Sequence, residues 1–280
     1  MSSAINNTQY QKAEVFKALH RREGLFIIPN PWDAGTAKIL TGLGFEAFTT
    51  TSAGLAYTLG RPDGYALISR DETLENARAI INATNLPVAA DLENGFGDTP
   101  EACAETILAA ARVGLVGGSI EDATGNDHDP IYDFDLSVNR VKAAVEAARS
   151  LPFHFTLTAR AENMIHGKVD LQDTIKRLVA YADAGADVLF APGLKTRQQI
   201  SEVVKAVAPK PLNIVLGAAG FDISFNELAD MGVKRVSLGS ALARAALGAF
   251  QRAAVELSKG SYGFVNEAVP YLELNRILSE

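Results

Sequence analysis

Two carboxylates separated by one apolar residue close the segment Val88-Ala89-Ala90-Asp91-Leu92-Glu93-Asn94-Gly95-Phe96-Gly97, which reads as a buried strand followed by a glycine-rich turn. Side chains alternate along an extended segment, so Asp91 and Glu93 are expected to share one face while Leu92 points away. Two anions on one face repel unless something positive sits between them, and a hard, oxygen-seeking cation such as Mg2+ suits that place. A solvated acidic turn is the competing reading, because D-x-E is a common tripeptide.

Other polar groups recur at strand-to-loop junctions: Ser52, Ala53 and Gly54, then Asp63 between Pro62 and Gly64, Glu121 in Ser119-Ile120-Glu121-Asp122, and Arg160 in Thr158-Ala159-Arg160-Ala161-Glu162. Asp91, Glu93 and Glu121 could surround one Mg2+, largely through water because that ion dehydrates reluctantly. Arg160 is placed either to hold an anionic substrate or to make a structural salt bridge with Glu121 or Glu162. Ser52 with the amides of Ala53 and Gly54 forms an anion pocket or caps its own loop. Asp63 is by default a turn residue. The polar stretch Asp122–Asp135 is expected to act as a lid, with Tyr57, His128 and Tyr132 as candidate proton donors. Cys103 lies in a helical segment and is expected to be a packing residue.

The elements that must carry these groups repeat: a short apolar strand, a polar loop, a helical segment, and another strand. Eight strands are expected, at Leu25–Ile28, Ala47–Thr51, Val88–Asp91, Gly118–Glu121, Phe153–Thr158, Val188–Ala191, Leu212–Val215 and Val236–Leu238. Asn30 before Pro31 reads as a helix N-cap, Ser69 with Glu72 as a capping box, and Asp98-Thr99-Pro100-Glu101 as another helix start. Gly44, Gly114, Gly185 and Gly232 read as left-handed helix ends. With no linker to divide the chain, this pattern predicts one (β/α)8 TIM-type barrel over 1–280, with function on the loops after the strands. Val15, Phe16 and Leu19 mark an amphipathic N-terminal helix lying on the barrel as an appendage. Residues 240–280 form a C-terminal helical extension, more than a barrel needs to close.

Bulk composition narrows the partners. The 280 residues carry a net charge of −7 and 48% hydrophobic residues, so a nucleic-acid partner, which needs clustered Lys and Arg, is not expected. No apolar run reaches the length of a membrane span. One cysteine and an N-terminus without signal-peptide character point to a reducing cytoplasm.

Taken in order, Thr51-Ser52-Ala53-Gly54, Gly60-Arg61-Pro62-Asp63, Asp91-Leu92-Glu93-Asn94-Gly95-Phe96-Gly97, Ile120-Glu121-Asp122 and Thr158-Ala159-Arg160 resemble the isocitrate lyase/phosphoenolpyruvate mutase superfamily. The likeness spans roughly residues 20–245. It implies a Mg2+ cofactor, with Mn2+ as an alternative, chelating a 2-oxo acid or its enolate. Asp91, Glu93 and Glu121 would hold the metal and Asp63 support it. Ser52 with Ala53 and Gly54 would bind a substrate carboxylate, and Arg160 would hold the developing enolate oxygen. It also implies a homo-oligomer, dimer or tetramer, with the last helices packed on a neighbouring subunit.

The chain departs from its relatives at identifiable points. The 122–135 loop lacks the Lys-Lys/Arg-Cys-Gly-His motif, which argues against isocitrate and 2-methylisocitrate lyase activity. Phe190-Ala191-Pro192-Gly193 lacks the glutamate those lyases place after strand six, and Glu93 stands where Asp is common. The leading expectation is a Mg2+-dependent lyase or decarboxylase acting on a small 2-oxo or 2-hydroxy (di)carboxylate. The alternatives are P–C bond chemistry on phosphonopyruvate, a phosphate grip built from Gly217–Gly220 and Gly239-Ser240, and a non-catalytic 2-oxo-acid-binding protein. A Schiff-base aldolase is not expected, because Lys168 and Lys195 lie beyond their strand ends.

Overall fold

Eight parallel strands form a nearly closed barrel: β1 (Phe26–Ile28), β2 (Phe48–Thr49), β3 (Val88–Asp91), β4 (Gly117–Glu121), β5 (Thr156–Arg160), β6 (Val188–Phe190), β7 (Leu212–Val215) and β8 (Arg235–Ser237). The computed structural model describes residues 2–217 and 220–279, and the side chains from residue 8 onward. The ladder runs β1-β8-β7-β6-β5-β4-β3-β2, and helices between successive strands cover its outer face. This is the (β/α)8 architecture that the strand–loop–helix repeat predicts. Register sets the site: Asp91 of β3 lies beside Ser119 of β4, which lies beside Thr158 of β5, and Glu121 lies beside Arg160.

Six strands differ from expectation, β1, β4 and β6 by one residue at one end, and β2, β5 and β8 for reasons the structure shows. β5 starts at Thr156, so Arg160 is a strand residue, while Phe153 and Phe155 pack in the core ahead of it. Apolar burial needs no strand, which is why the apolar run misplaced the boundary. β2 stops at Thr49, because Thr51 turns to cap the helix Ser52–Thr58. β8 begins one residue early, at Arg235, a charged residue no apolar pattern would include.

Helix punctuation follows the sequence closely. Ser69 and Glu72 form a capping box, and Thr99 caps a helix with Pro100 at its first position. Gly44, Gly114, Gly185 and Gly232 adopt φ of 83°, 104°, 104° and 90°, the left-handed region that glycine enters at no steric cost. Asn30 is a correction, because the cap of the helix Ala34–Gly42 is Asp33. Asn30 instead closes the barrel. Between β1 and β2 there is no ladder, and Thr49 N–H donates to Pro29 O at 3.2 Å across the gap. Asn30 Nδ2 donates to Thr50 O at 3.0 Å, and its Oδ1 accepts from the N–H groups of Leu238 and Gly239, both at 2.9 Å.

The N-terminal helix Ser2–Arg21 is a plug rather than an appendage. Ala13, Phe16 and Leu19 pack with Phe26, Ile28, Ala47, Ala89 and Val116, while Val15 is 50% exposed and takes no part. Gly117 makes room for it: a Cβ there would lie 2.9 Å from Phe16 Cε1. At the other end, the helix Ala241–Ser258 buries only Ala243, and the helix Tyr271–Ser279 returns to the barrel, where Lys38 Nζ donates to Leu278 O at 2.6 Å. Among the described residues no helix is long and apolar enough to cross a membrane.

Asn30→Ala removes the acceptor of two backbone N–H groups and the donor to a third backbone atom, all at the barrel seam. A loss of about 2–4 kcal/mol is expected for groups left unpaired in the interior, read as a lower urea midpoint at unchanged slope.

Candidate active site

Arg160, at the end of β5, organises the open face of the barrel. Its Nη1 lies 2.8 Å from Asp91 Oδ1 and 3.1 Å from Glu121 Oε2, and its Nε donates to Glu162 Oε1 at 2.9 Å. The Phe190 ring lies beneath the guanidinium, 5.1 Å from its centre. Nη2 has no hydrogen-bond partner among the described residues, and Arg160 lines a cavity of about 740 Å3. The salt-bridge reading of Arg160 holds, with both Glu121 and Glu162 as partners, and one edge of the guanidinium stays unpartnered.

Glu162 was named in the sequence only as a salt-bridge partner, and its role is larger. It is 2% exposed, and its N–H donates to Asp122 Oδ1 at 2.8 Å. Asp122 Oδ2 in turn accepts from Arg177 Nη1 at 3.1 Å and from the Tyr181 hydroxyl at 2.6 Å. Arg160 is thus braced from behind by a buried chain of charged groups. Removing one member of such a chain leaves an uncompensated charge, at a cost of about 3–5 kcal/mol.

On the acidic side, Asp63, Asp91, Ser52 and Ala53 line the cavity, whereas Glu93, Glu121 and Gly54 stand behind its wall. The Ser52 hydroxyl donates to Asp91 Oδ2 at 3.2 Å. The N–H of Gly54 already donates to the capping Thr51 Oγ1, and a Cβ on Gly54 would lie 2.7 Å from Trp32 Cβ, so this glycine serves close packing. Asp91 and Glu93 do not share an extended face. β3 stops at Asp91, and Glu93 adopts φ 47°, held there by its N–H to Asp91 Oδ1 and by Glu121 N–H to its carbonyl. A left-handed non-glycine residue costs about 1–2 kcal/mol, so the turn is imposed by these bonds against local preference.

Electrostatics in this cluster are lopsided. Burial first, then Asp91 and Asp63, push the Glu93 carboxyl up to about 8, and burial pushes the Glu121 and Asp63 carboxyls up as well. Arg160 offsets all three, and hydrogen bonds from Ser52 and the Gly64 N–H further offset Asp63. Among the described residues no three Asp, Glu, His or Cys side chains stand together closely enough to hold a metal ion, because Arg160 occupies the place between Asp91 and Glu121.

No residue of the expected lid, 122–135, lines the cavity in this structure. The loop is pinned by a bridge between Ala123 and Ile131, and the Tyr132 hydroxyl donates to Asp98 Oδ1 and accepts from Asn94 Nδ2. His128 is exposed, and none of the three proposed proton donors reaches the cavity. Met164, Ile165, Pro192 and Leu194 form the apolar wall instead, while Gly217, Gly220, Gly239 and Ser240 line the opposite rim. Ala218 and Ala219, part of the expected phosphate grip, lie outside the described residues. The sequence reading missed Asn213, and Arg235 is a correction: the basic doublet Lys234-Arg235 reads as solvated surface, yet Arg235 is 5% exposed and lines the cavity from the lower half of its strand.

Glu93 sets a pH dependence. Its folded carboxyl keeps its proton to about 8, whereas the unfolded chain releases it near 4.5. The folded state therefore binds the extra proton between these values, and this contribution to stability is full below 4.5 and lost as pH rises through 8. Thermal unfolding in EDTA is expected to show falling stability across this window, and Glu93→Gln to flatten the fall.

The phosphoenolpyruvate phosphomutase family model matches residues 16–258. A solved structure from Burkholderia cenocepacia J2315, provisionally classed as a lyase/mutase, superposes with a TM-score of 0.94 at 57% identity and 98% coverage of each chain. A phosphonopyruvate hydrolase complexed with oxalate and Mg2+ gives a TM-score of 0.84 at 25% identity, covering 96% of this chain and 94% of the other. An oxaloacetate decarboxylase of Rhodopseudomonas palustris (strain BisB5) is 32% identical over 238 residues, 82% of this chain and 79% of its own. With a match across nearly the whole barrel, the chain belongs to the phosphoenolpyruvate phosphomutase family, within the isocitrate lyase/phosphoenolpyruvate mutase superfamily of lyases and mutases acting on small carboxylates.

Proposed function

We propose that the chain is a Mg2+-dependent lyase or decarboxylase that cleaves the bond next to the carbonyl of a small 2-oxo or 2-hydroxy (di)carboxylate and leaves a pyruvate-like enolate. The observation that carries this reading is Arg160, clamped by Asp91, Glu121 and Glu162 with Nη2 unpartnered on the cavity wall. When the bond breaks, its electron pair delocalises onto the carbonyl oxygen. A guanidinium fixed before the reaction stabilises that charge without reorganising, and such preorganised donors are worth several kcal/mol. The Ala53 N–H orients the substrate carboxylate, joined by the Ser52 hydroxyl once it turns from Asp91 and Asp63, the carboxylates it serves in this structure.

The donor set fits a hard cation in kind: Asp63, Asp91, Glu93 and Glu121 offer only oxygen, and their charge exceeds what Arg160 offsets. Asp91, Glu93 and Glu121 would hold Mg2+, directly or through water, with Mn2+ able to substitute. Bound there, the ion supplies Lewis-acid polarisation of the substrate oxygens. The Mg2+ and oxalate in the phosphonopyruvate hydrolase neighbour support this cofactor, and the oxaloacetate decarboxylase relative supports C–C over P–C cleavage.

The chain also presents a row of apolar side chains beyond the barrel. Phe250 is 71% exposed and Leu272 79%, with Leu257, Tyr262 and Val269 also exposed nearby in sequence. A second copy of the chain covering this extension gives the homo-oligomer that the resemblance implies. Light scattering is expected to report a dimer or tetramer, and Phe250→Glu with Leu272→Glu a monomer.

Incubation with oxaloacetate, isocitrate, 2-methylisocitrate and phosphonopyruvate, in Mg2+ or EDTA and against enzyme-free controls, tests the reaction by NMR of products. Mg2+-dependent pyruvate or glyoxylate is the expected result. Phosphate or phosphoenolpyruvate would replace C–C with P–C cleavage, and Mg2+-dependent oxalate binding without turnover would make the chain a binding protein. Arg160→Ala is expected to lower kcat by about 10²–10³-fold, as loss of an oxyanion donor does.

A further inference from the structure

The lower half of the cavity has no part in the chemistry above. Interiors of such barrels are ordinarily packed with branched apolar side chains. Here the layer beneath Arg160 is small and polar, with Thr49, Ser119, Thr158, Asn213 and Ser237 all lining the cavity beside Ala89. At its floor stands Arg235, 5% exposed and also lining the cavity.

Every partner of Arg235 in the structure is neutral. Its Nε donates to Asn213 Oδ1 at 2.8 Å, its Nη2 to Thr158 Oγ1 at 3.0 Å, and its Nη1 to His20 Nε2 at 3.3 Å. His20 supplies only a lone pair. Its Nδ1 is 2.8 Å from Phe16 O and so carries the hydrogen, and burial and Arg235 push the ring down to about 3, neutral at physiological pH. Burial alone lowers the Arg235 guanidinium, to about 9, with no carboxylate acting on it. It remains charged, and a buried charge costs several kcal/mol unless an opposite charge meets it.

The unused hydrogen-bonding capacity here is donor capacity. A guanidinium has five N–H groups, and three are engaged. Thr158 Oγ1 accepts from Arg235 and Ser237 Oγ accepts from Asn213 Nδ2 at 3.0 Å, so each hydroxyl keeps its own hydrogen to give. Spare N–H and O–H donors around an uncompensated cation suit an anion better than water.

We propose that the barrel floor is an anion-binding site, in which Arg235 with the Thr158 and Ser237 hydroxyls takes one small anion of the halide or carboxylate class. This assignment does not depend on which bond the upper site breaks. The anion is either a free inorganic ion or the distal carboxylate of a ligand entering from above.

Crystals soaked in sodium bromide locate the site by anomalous scattering, and the linewidth of chloride NMR measures it in solution. Bromide beside Arg235 and an excess chloride linewidth are expected, with the excess lost in Arg235→Met and partly regained in Arg235→Lys. Should Arg235→Met not fold by circular dichroism, Ser119→Leu fills the cavity from the opposite wall, leaves Arg235 and its partners in place, and is expected to remove the excess. Arg160→Gln is expected to retain the bromide at the floor, which separates this site from the one above it. Succinate that displaces the halide assigns the site to a ligand carboxylate, and retention in succinate assigns it to a free ion. A map without bromide at Arg235, with wild-type linewidth equal to that of Arg235→Met, means a water-filled floor and overturns the proposal.

Discussion

A guanidinium held where little water reaches must find anions within hydrogen-bond range, and at Arg160 those anions come from three separate places in the chain. Asp91 ends β3, Glu121 ends β4, and Glu162 follows β5. Strand register delivers the first two: the pairing that sets Glu121 beside Arg160 also sets Asp91 level with Thr158, two residues before Arg160, within reach of the same nitrogen. The Asp122, Arg177 and Tyr181 network behind Glu162 fixes the arrangement from outside the cavity. The guanidinium is therefore held by the ends of β3, β4 and β5 themselves.

That arrangement also explains the surplus of acid at the site. One guanidinium satisfies two edges with three carboxylates, and Glu93 and Asp63 remain without a cation. Burial then drives Glu93 toward its neutral form, because ionising it among Asp91 and Asp63 is opposed both by desolvation and by like charge. The left-handed turn at Glu93 is the local distortion that brings its carboxyl among these acids.

The barrel is asymmetric along its axis. At one end the N-terminal helix seals the strands with Phe16 and Leu19, and Gly117 gives up its side chain to admit the ring. Between that plug and Arg160 the interior is lined by hydroxyls and amides, so the cavity reaches deep into the fold. The positive charge of Arg235 and the negative cluster around Asp91 then lie at different depths of one cavity, a polarity that an apolar filling would have removed.

The barrel and the helix boundaries marked by Ser69, Thr99 and the four glycines were legible in the sequence, and so were the polar residues Ser52, Asp63, Asp91, Glu93, Glu121 and Arg160 at its strand-to-loop junctions. Hydrophobic period, capping and ordered motifs are local properties, and they are written along the chain. What only the tertiary structure decided is where those side chains meet. Alternation failed at Glu93 because hydrogen bonds from β4 bent the chain after Asp91, and Asn30, a plausible cap by local rule, was claimed by the seam between β1, β2 and β8. The loop 122–135 reads as a lid because it is long and polar, and only the fold shows that Tyr132 ties it to Asp98 in the turn after β3. Arg235 was misread for a different reason: beside Lys234 it forms a basic doublet that reads as solvated surface until the fold buries it at the barrel floor. Contacts across the barrel join residues up to about two hundred positions apart, such as His20 and Arg235 at a separation of 215, and no local pattern encodes such a pairing.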